Sequence, residues 1–135
     1  MPHSDVRVAR QLGPVRILLV EDEPIVRFVM AEALRDLAAT VIEASTADEA
    51  WEYLTSGAAV DVVFTDHRLP GSLTGAQLAR RIRQQFPALP VVVTSANFDE
   101  HETFEERVGK PYDIDEIATR LVQLATSARG KGTEL

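Results

Sequence analysis

Four short apolar runs rich in β-branched residues punctuate the chain: Val15 to Val20, Thr40 to Ala44, Val60 to Thr65 and Val91 to Ser95. Their length and composition predict strands buried within a sheet. Between them the apolar positions change to helical spacing. Pro24 suits a first helical turn, and Val26, Val29, Ala33, Leu34 and Leu37 then recur on one side of a helix. Ser45 and Thr46 can cap a second helix, with Thr46 and Glu49 spaced as a capping box and Gly57 as its stop. After a turn-rich stretch containing Pro70, Gly71 and Gly75, a third helix places Leu78, Ala79, Ile82 and Phe86 inward. Pro87 and Pro90 bracket the turn before the fourth strand.

A fifth, weaker strand over Glu106 to Val108 leads into Gly109-Lys110-Pro111, and a last helix from about Asp113 to Ser127 buries Ile114, Ile117, Leu121 and Leu124. Five strands alternating with helices predict an α/β fold: a doubly wound parallel sheet with right-handed crossovers. Residues 1–14 and 129–135 show no period and read as tails around a single domain at 15–128. In such sheets ligands bind beyond the carboxyl ends of the strands. The residues at those ends are Glu21, Asp22, Asp66, Ser95 and Lys110.

Composition narrows the function classes. A chain of 135 residues fits one domain, and 45% hydrophobic with 26% charged residues is ordinary for a globular one. The absence of cysteine excludes disulfides, thiol catalysis and cysteine-ligated metal. A net charge of −7 disfavours nucleic acid or an anionic membrane as partner. No apolar run approaches the ~18 residues of a spanning helix, and the expected location is the cytoplasm.

Three carboxylates gathered at one sheet edge repel one another, and a hard divalent cation relieves that conflict. Magnesium, or manganese in its place, matches one or two carboxylates plus phosphate oxygen better than zinc or calcium does. Asp66 is then the candidate phosphoryl acceptor, since a carboxylate oxygen is nucleophilic enough for aspartyl-phosphate chemistry. Lys110 can neutralise charge on the phosphoryl group and the Ser95 hydroxyl can donate to it. A phosphoryl group adds about −1.5 to −2 charge, enough to move a loop. The expected output is a switched surface, not a metabolic product.

At this point the chain resembles the receiver domains of two-component response regulators, over about Val15 to Ser127. The motifs are Ile-Leu-Leu-Val-Glu-Asp-Glu-Pro (17–24), Val-Val-Phe-Thr-Asp-His-Arg-Leu-Pro-Gly (62–71), Val-Val-Val-Thr-Ser-Ala (91–96) and Gly-Lys-Pro (109–111). The resemblance implies a flavodoxin-like strand order 2-1-3-4-5. It also implies magnesium on Glu21, Asp22, Asp66 and the backbone carbonyl of Arg68. Asp66 corresponds to the phosphoacceptor, Lys110 to the family's lysine, and Ser95 to the switch hydroxyl, because that hydroxyl precedes an alanine, here Ala96.

Two departures stand out. Residues 96–109, 14 in all, are too few for a loop, a full helix and a strand, so the family's fourth helix is expected to be short or irregular over 97–105. Arg107 occupies the position, three before the lysine, where the family usually carries an aromatic residue.

Other readings are weaker. A dinucleotide enzyme needs a glycine-rich turn where this chain has Glu21-Asp22-Glu23-Pro24. An aspartyl phosphatase commonly needs a second acid two residues after the nucleophile, where Arg68 stands. His101-Glu102 lacks the second histidine of a zinc-protease helix, since position 105 is Glu. His67 reads as a solvent contact, Arg80, Arg81 and Arg83 as a wet helix face, and Trp51 and Tyr53 as packing or partly exposed residues.

The expected function is therefore a stand-alone phosphoacceptor domain. It would be charged by a sensor histidine kinase or histidine phosphotransfer protein and act on a downstream protein, with homodimerisation left open. The rival is a receiver-like interaction module that no longer responds to phosphorylation.

Overall fold

The computed structural model describes residues 13–96 and 106–133. Its elements are β1 (Arg16–Val20), α1 (Pro24–Asp36), β2 (Thr40–Ala44), α2 (Ala47–Thr55), β3 (Val62–Asp66), α3 (Gly75–Gln85), β4 (Val91–Ser95), β5 (Glu106–Gly109) and α4 (Ile114–Thr133). The strands pair in parallel in the order β2-β1-β3-β4-β5, the flavodoxin-like order expected. The expectation about the family's helix over 97–105 lies outside the described residues.

Side-chain alternation divides the core between the two faces of the sheet. Ile17, Leu19, Phe64, Val92 and Val108 meet Met30 and Leu34 of α1 and Ile117 and Leu121 of α4. Leu18, Val20 and Val63 meet Leu54 of α2 and Leu78 and Ile82 of α3. Each such aliphatic side chain, fully buried, contributes about 1.5–3 kcal/mol. No described helix is long and apolar enough to cross a membrane.

Helix termini follow the capping residues. Thr46 Oγ1 accepts from the Glu49 N–H, while the Glu49 carboxylate turns back to the Ser45 N–H at 2.8 Å. Thr74 and Gln77 form a reciprocal capping box at the start of α3. At the end of α1, the Ala38 N–H bonds to the Arg35 carbonyl and the Ala39 N–H to the Leu34 carbonyl. That is a Schellman motif, and Ala38 occupies its left-handed position at φ 66.

Four local expectations are corrected. β3 spans Val62–Asp66 instead of 60–65, so Asp66 is the strand's last residue. β5 extends to Gly109. The buried face of α1 is Met30, Ala31 and Leu34, while Val29 and Leu37, expected inward, are 40% and 43% exposed. The helix carries apolar residues nearly all round, so periodicity left its rotation open and packing against the sheet and α4 set it.

Finally, α4 runs to Thr133, past the end at about Ser127 expected from the sequence. Arg129 is held there because its guanidinium donates to the carbonyls of Gly13 and Pro14 and pairs with Asp61 at 3.0 Å. Asp61 in turn accepts from the Arg16 N–H at 2.7 Å, joining the last helix to the entry of β1.

Ala38 holds a backbone conformation that costs an L-residue about 1–2 kcal/mol and glycine little. Ala38→Gly is expected to raise unfolding stability by about 0.5–1 kcal/mol, measured by urea denaturation. An unchanged or lower midpoint would show that the C-terminal cap of α1 carries no strain.

Candidate functional site at the carboxyl edge of the sheet

The strands end in polar residues because the apolar layers stop there, and backbone pairing carries on one residue further. The Glu21 N–H donates to the Ala44 carbonyl at 3.0 Å, the His67 N–H to the Thr94 carbonyl at 2.8 Å, and the Lys110 N–H to the Ser95 carbonyl at 2.9 Å. These bonds extend the sheet's hydrogen bonding into the loops and fix where each functional side chain begins.

The structure brings together Glu21, Asp22, Asp66 and Lys110. One carboxylate oxygen from each of the three acids lies within 4.8 Å of the others. Lys110 Nζ donates to Asp66 Oδ2 at 2.7 Å, and the Arg68 N–H reaches Asp66 Oδ1 at 3.3 Å. Glu21 is buried and Asp22 exposed. The Glu23 N–H donates to Glu21 Oε2 at 3.1 Å, and Arg27 Nη1 donates to the Glu21 carbonyl at 2.9 Å.

The electrostatics follow from this crowding. Burial pushes the Glu21 carboxyl up to about 7 from its ordinary 4.5; the Glu23 N–H opposes the shift, and the neighbouring Asp22 and Asp66 add to it. Lys110 loses solvation, which disfavours its charge, but the hydrogen bond and charge of Asp66 outweigh that and raise its pKa. Tyr112 is raised by burial and by the nearby carboxylate of Glu21. A carboxyl held up by burial and, less, by like-charged neighbours suits a bound divalent cation, and the oxygen-only donor set suits magnesium.

Ser95 closes β4 and is buried. Alternation along the strand puts its side chain on the face opposite Thr94. Thr94 pairs in register with Asp66 and lines a recess together with Glu21, Met30, Phe64, Asp66 and Tyr112. Arg68 is exposed. His67, expected to face solvent, is 8% exposed, because the loop after β3 folds back and its carbonyl accepts from the Ala76 N–H.

Three contributors escaped the sequence reading. A Cβ on Gly75 would lie 1.6 Å from the Asp66 carbonyl oxygen, so the first turn of α3 can rest on the Asp66 peptide only if that residue is glycine. Tyr112, two residues after Lys110, packs edge-on to Phe64 with ring centres 5.9 Å apart. Thr94 is the third. The only hint in sequence was the aromatic after Lys110-Pro111; the other two depend on contacts between distant segments.

Between about pH 4.5 and 7 the folded chain holds the Glu21 proton more tightly than the unfolded one, so stability falls as pH rises through that window. The metal-free melting temperature is expected to fall from pH 5 to 8, and less so in Glu21→Gln. Magnesium should raise it more at pH 8 than at pH 5. A Glu21→Gln profile parallel to wild type would remove Glu21 from this balance.

Comparison with known proteins agrees with the geometry. The family description "response regulator receiver domain" matches residues 17–121. The DNA-binding transcriptional regulator NtrC of Escherichia coli K12 is 32% identical over 118 residues, covering 82% of this chain and 24% of that protein. The sensor protein TorS of the same organism is 31% identical over 102 residues, 76% of this chain and 11% of TorS. The chain thus spans a quarter or less of these relatives.

Among solved structures, a response regulator receiver protein from Sinorhizobium medicae superposes with a TM-score of 0.78 at 31% identity, covering 87% of this chain and 98% of that one. The response regulator TrrA of Thermotoga maritima, in complex with Mg(2+)-BeF, superposes with a TM-score of 0.72 at 26% identity, covering 82% and 98%. With five parallel strands in the receiver order and an acidic cluster at their carboxyl edge, the chain belongs to the response regulator receiver domain family.

Proposed function

We propose that this domain accepts a phosphoryl group on Asp66 from the phosphohistidine of a sensor histidine kinase or histidine phosphotransfer protein, in a magnesium-dependent step, and thereby switches a protein-binding surface. The observation that carries this reading is the convergence of three carboxylates within 4.8 Å with an ammonium 2.7 Å from one of them. Such a set is poorly suited to structural stability and well suited to meeting a transferred phosphoryl group.

In the step itself, a carboxylate oxygen of Asp66 attacks phosphorus in line, the phosphorus–nitrogen bond of the donor histidine breaks, and an acyl phosphate forms. Lys110 neutralises part of the charge on the phosphoryl oxygens, and the added charge draws the end of β4 inward so that the Ser95 hydroxyl can donate to one of them. Glu21, Asp22, Asp66 and the Arg68 carbonyl would hold magnesium, which supplies further charge neutralisation at those oxygens.

The donor protein needs a place to dock. Ile25 and Phe28 of α1 are 79% and 60% exposed, next to the chain segment that carries Glu21 and Asp22. Large exposed apolar side chains grouped on one helix favour protein contact. Relatives of this chain include segments of sensor proteins, which is consistent with histidine chemistry in such systems.

Incubation with a small-molecule phosphodonor and magnesium, followed by intact mass measurement, is expected to give one phosphoryl adduct in wild type and none in Asp66→Asn. Lys110→Ala should keep the fold while losing most of the response to phosphorylation. An adduct that persists in Asp66→Asn would overturn the assignment. Phe28→Asp is expected to slow transfer from a phosphorylated protein donor about tenfold or more and leave the small-molecule reaction unchanged. Equal slowing with both donors would discard α1 as the docking face.

A further inference from the structure

The recess beneath the site lies on the face of the sheet covered by α1 and α4. Its lining joins the acceptor to side chains that the phosphoryl-transfer reading does not use. Thr94 and Asp66 are register partners on adjacent parallel strands, and Thr94 also pairs with Val108, whose side chain enters the same core layer as Phe64 and Met30. Thr94 is 2% exposed, and its Oγ1 has no hydrogen-bond partner among the described residues. The recess is too narrow to admit a water molecule. A buried hydroxyl in that position is costly unless another arrangement of the site satisfies it.

Tyr112 supplies the second half of the arrangement. It follows Lys110 by two residues, its ring stands edge-on to Phe64 at 85°, and it lines the recess beside Asp66 and Thr94. Burial and the charge of Glu21 keep its hydroxyl protonated and able to donate. On the other face, Arg107 pairs in register with Val93 and so points away from this layer.

We propose that Tyr112 and Thr94 are positioning residues that read the state of Asp66 and pass it to α1. Resting on the phosphoacceptor reading above, the sequence of events is as follows. A phosphoryl group on Asp66 places more negative charge farther out from the strand, and the Lys110 ammonium, now held by Asp66 Oδ2, follows it. Through Pro111 the movement of Lys110 shifts the Tyr112 ring along Phe64, and the Tyr112 hydroxyl donates to Thr94 Oγ1. Met30 of α1 lines the same recess and must adjust, so the helix that presents Ile25 and Phe28 to solvent feels the charge state of the acceptor.

The test uses the full chain with magnesium and beryllium fluoride. Fluorine NMR reports whether the adduct forms, and amide hydrogen exchange reports the response of α1. In wild type the adduct is expected to slow exchange across Pro24–Asp36 by about threefold or more. Thr94→Val and Tyr112→Phe should form the adduct with unchanged affinity and lose the α1 response, whereas Thr94→Ser should keep it.

A wild-type α1 response in both Thr94→Val and Tyr112→Phe would overturn the relay and leave the acceptor assignment standing. So would a wild-type response confined to Glu106–Gly109. Failure of wild type to form any adduct would overturn the phosphoacceptor reading and the relay with it.

Discussion

Repulsion among Glu21, Asp22 and Asp66 is the constraint around which the rest of the molecule is arranged. Three carboxylates within 4.8 Å of one another, one of them buried, oppose folding, and a single ammonium offsets only part of that. The arrangement persists because it sits at the rim of a sheet whose interior is close-packed on both faces. The ladder continues past each strand end through the Glu21, His67 and Lys110 backbone bonds, so the side chains cannot separate without undoing sheet pairing. The resulting site is poised toward cations and toward chemistry that redistributes negative charge.

The packing around Asp66 is unequal. On one side the first turn of α3 rests directly on the Asp66 carbonyl, a contact that only Gly75 permits, and the Thr74–Gln77 box holds that turn in place. On the other side, α1 and Tyr112 leave a recess and a Thr94 hydroxyl with no hydrogen-bond partner among the described residues. Rigid packing is thus concentrated beneath the Asp66 backbone. Slack is concentrated beside its side chain, where a change of charge can be accommodated.

Away from the site, the last helix is tied to the first strand. Arg129 reaches the carbonyls of Gly13 and Pro14 and pairs with Asp61, which also receives the Arg16 N–H. The tie lies at the amino end of the strands, opposite the chemistry. It ties α4 to the sheet at one end, while Tyr112, just before the helix's other end, packs against Phe64 and lines the recess beside Asp66. Arg16 also donates to the Tyr53 hydroxyl and the Ala59 carbonyl, so the same end of the sheet is pinned to α2 and the loop after it.

The sequence by itself determined the strands, the parallel sheet, and the identity of Glu21, Asp22, Asp66 and Lys110 as residues at one edge. A strand buried on both faces needs an unbroken apolar run, and the first charged residue after that run marks where the chain meets solvent. Tertiary structure decided the rotation of α1, because apolar residues nearly all round that helix fit several orientations and packing of Met30, Ala31 and Leu34 into the core selects one. It likewise decided the extension of α4 to Thr133, the burial of His67, the need for glycine at 75, and the placing of Thr94 and Tyr112 in the lining of one recess. Each of these depends on atoms from separate segments approaching within a few ångströms, and local periodicity carries no information about such distances.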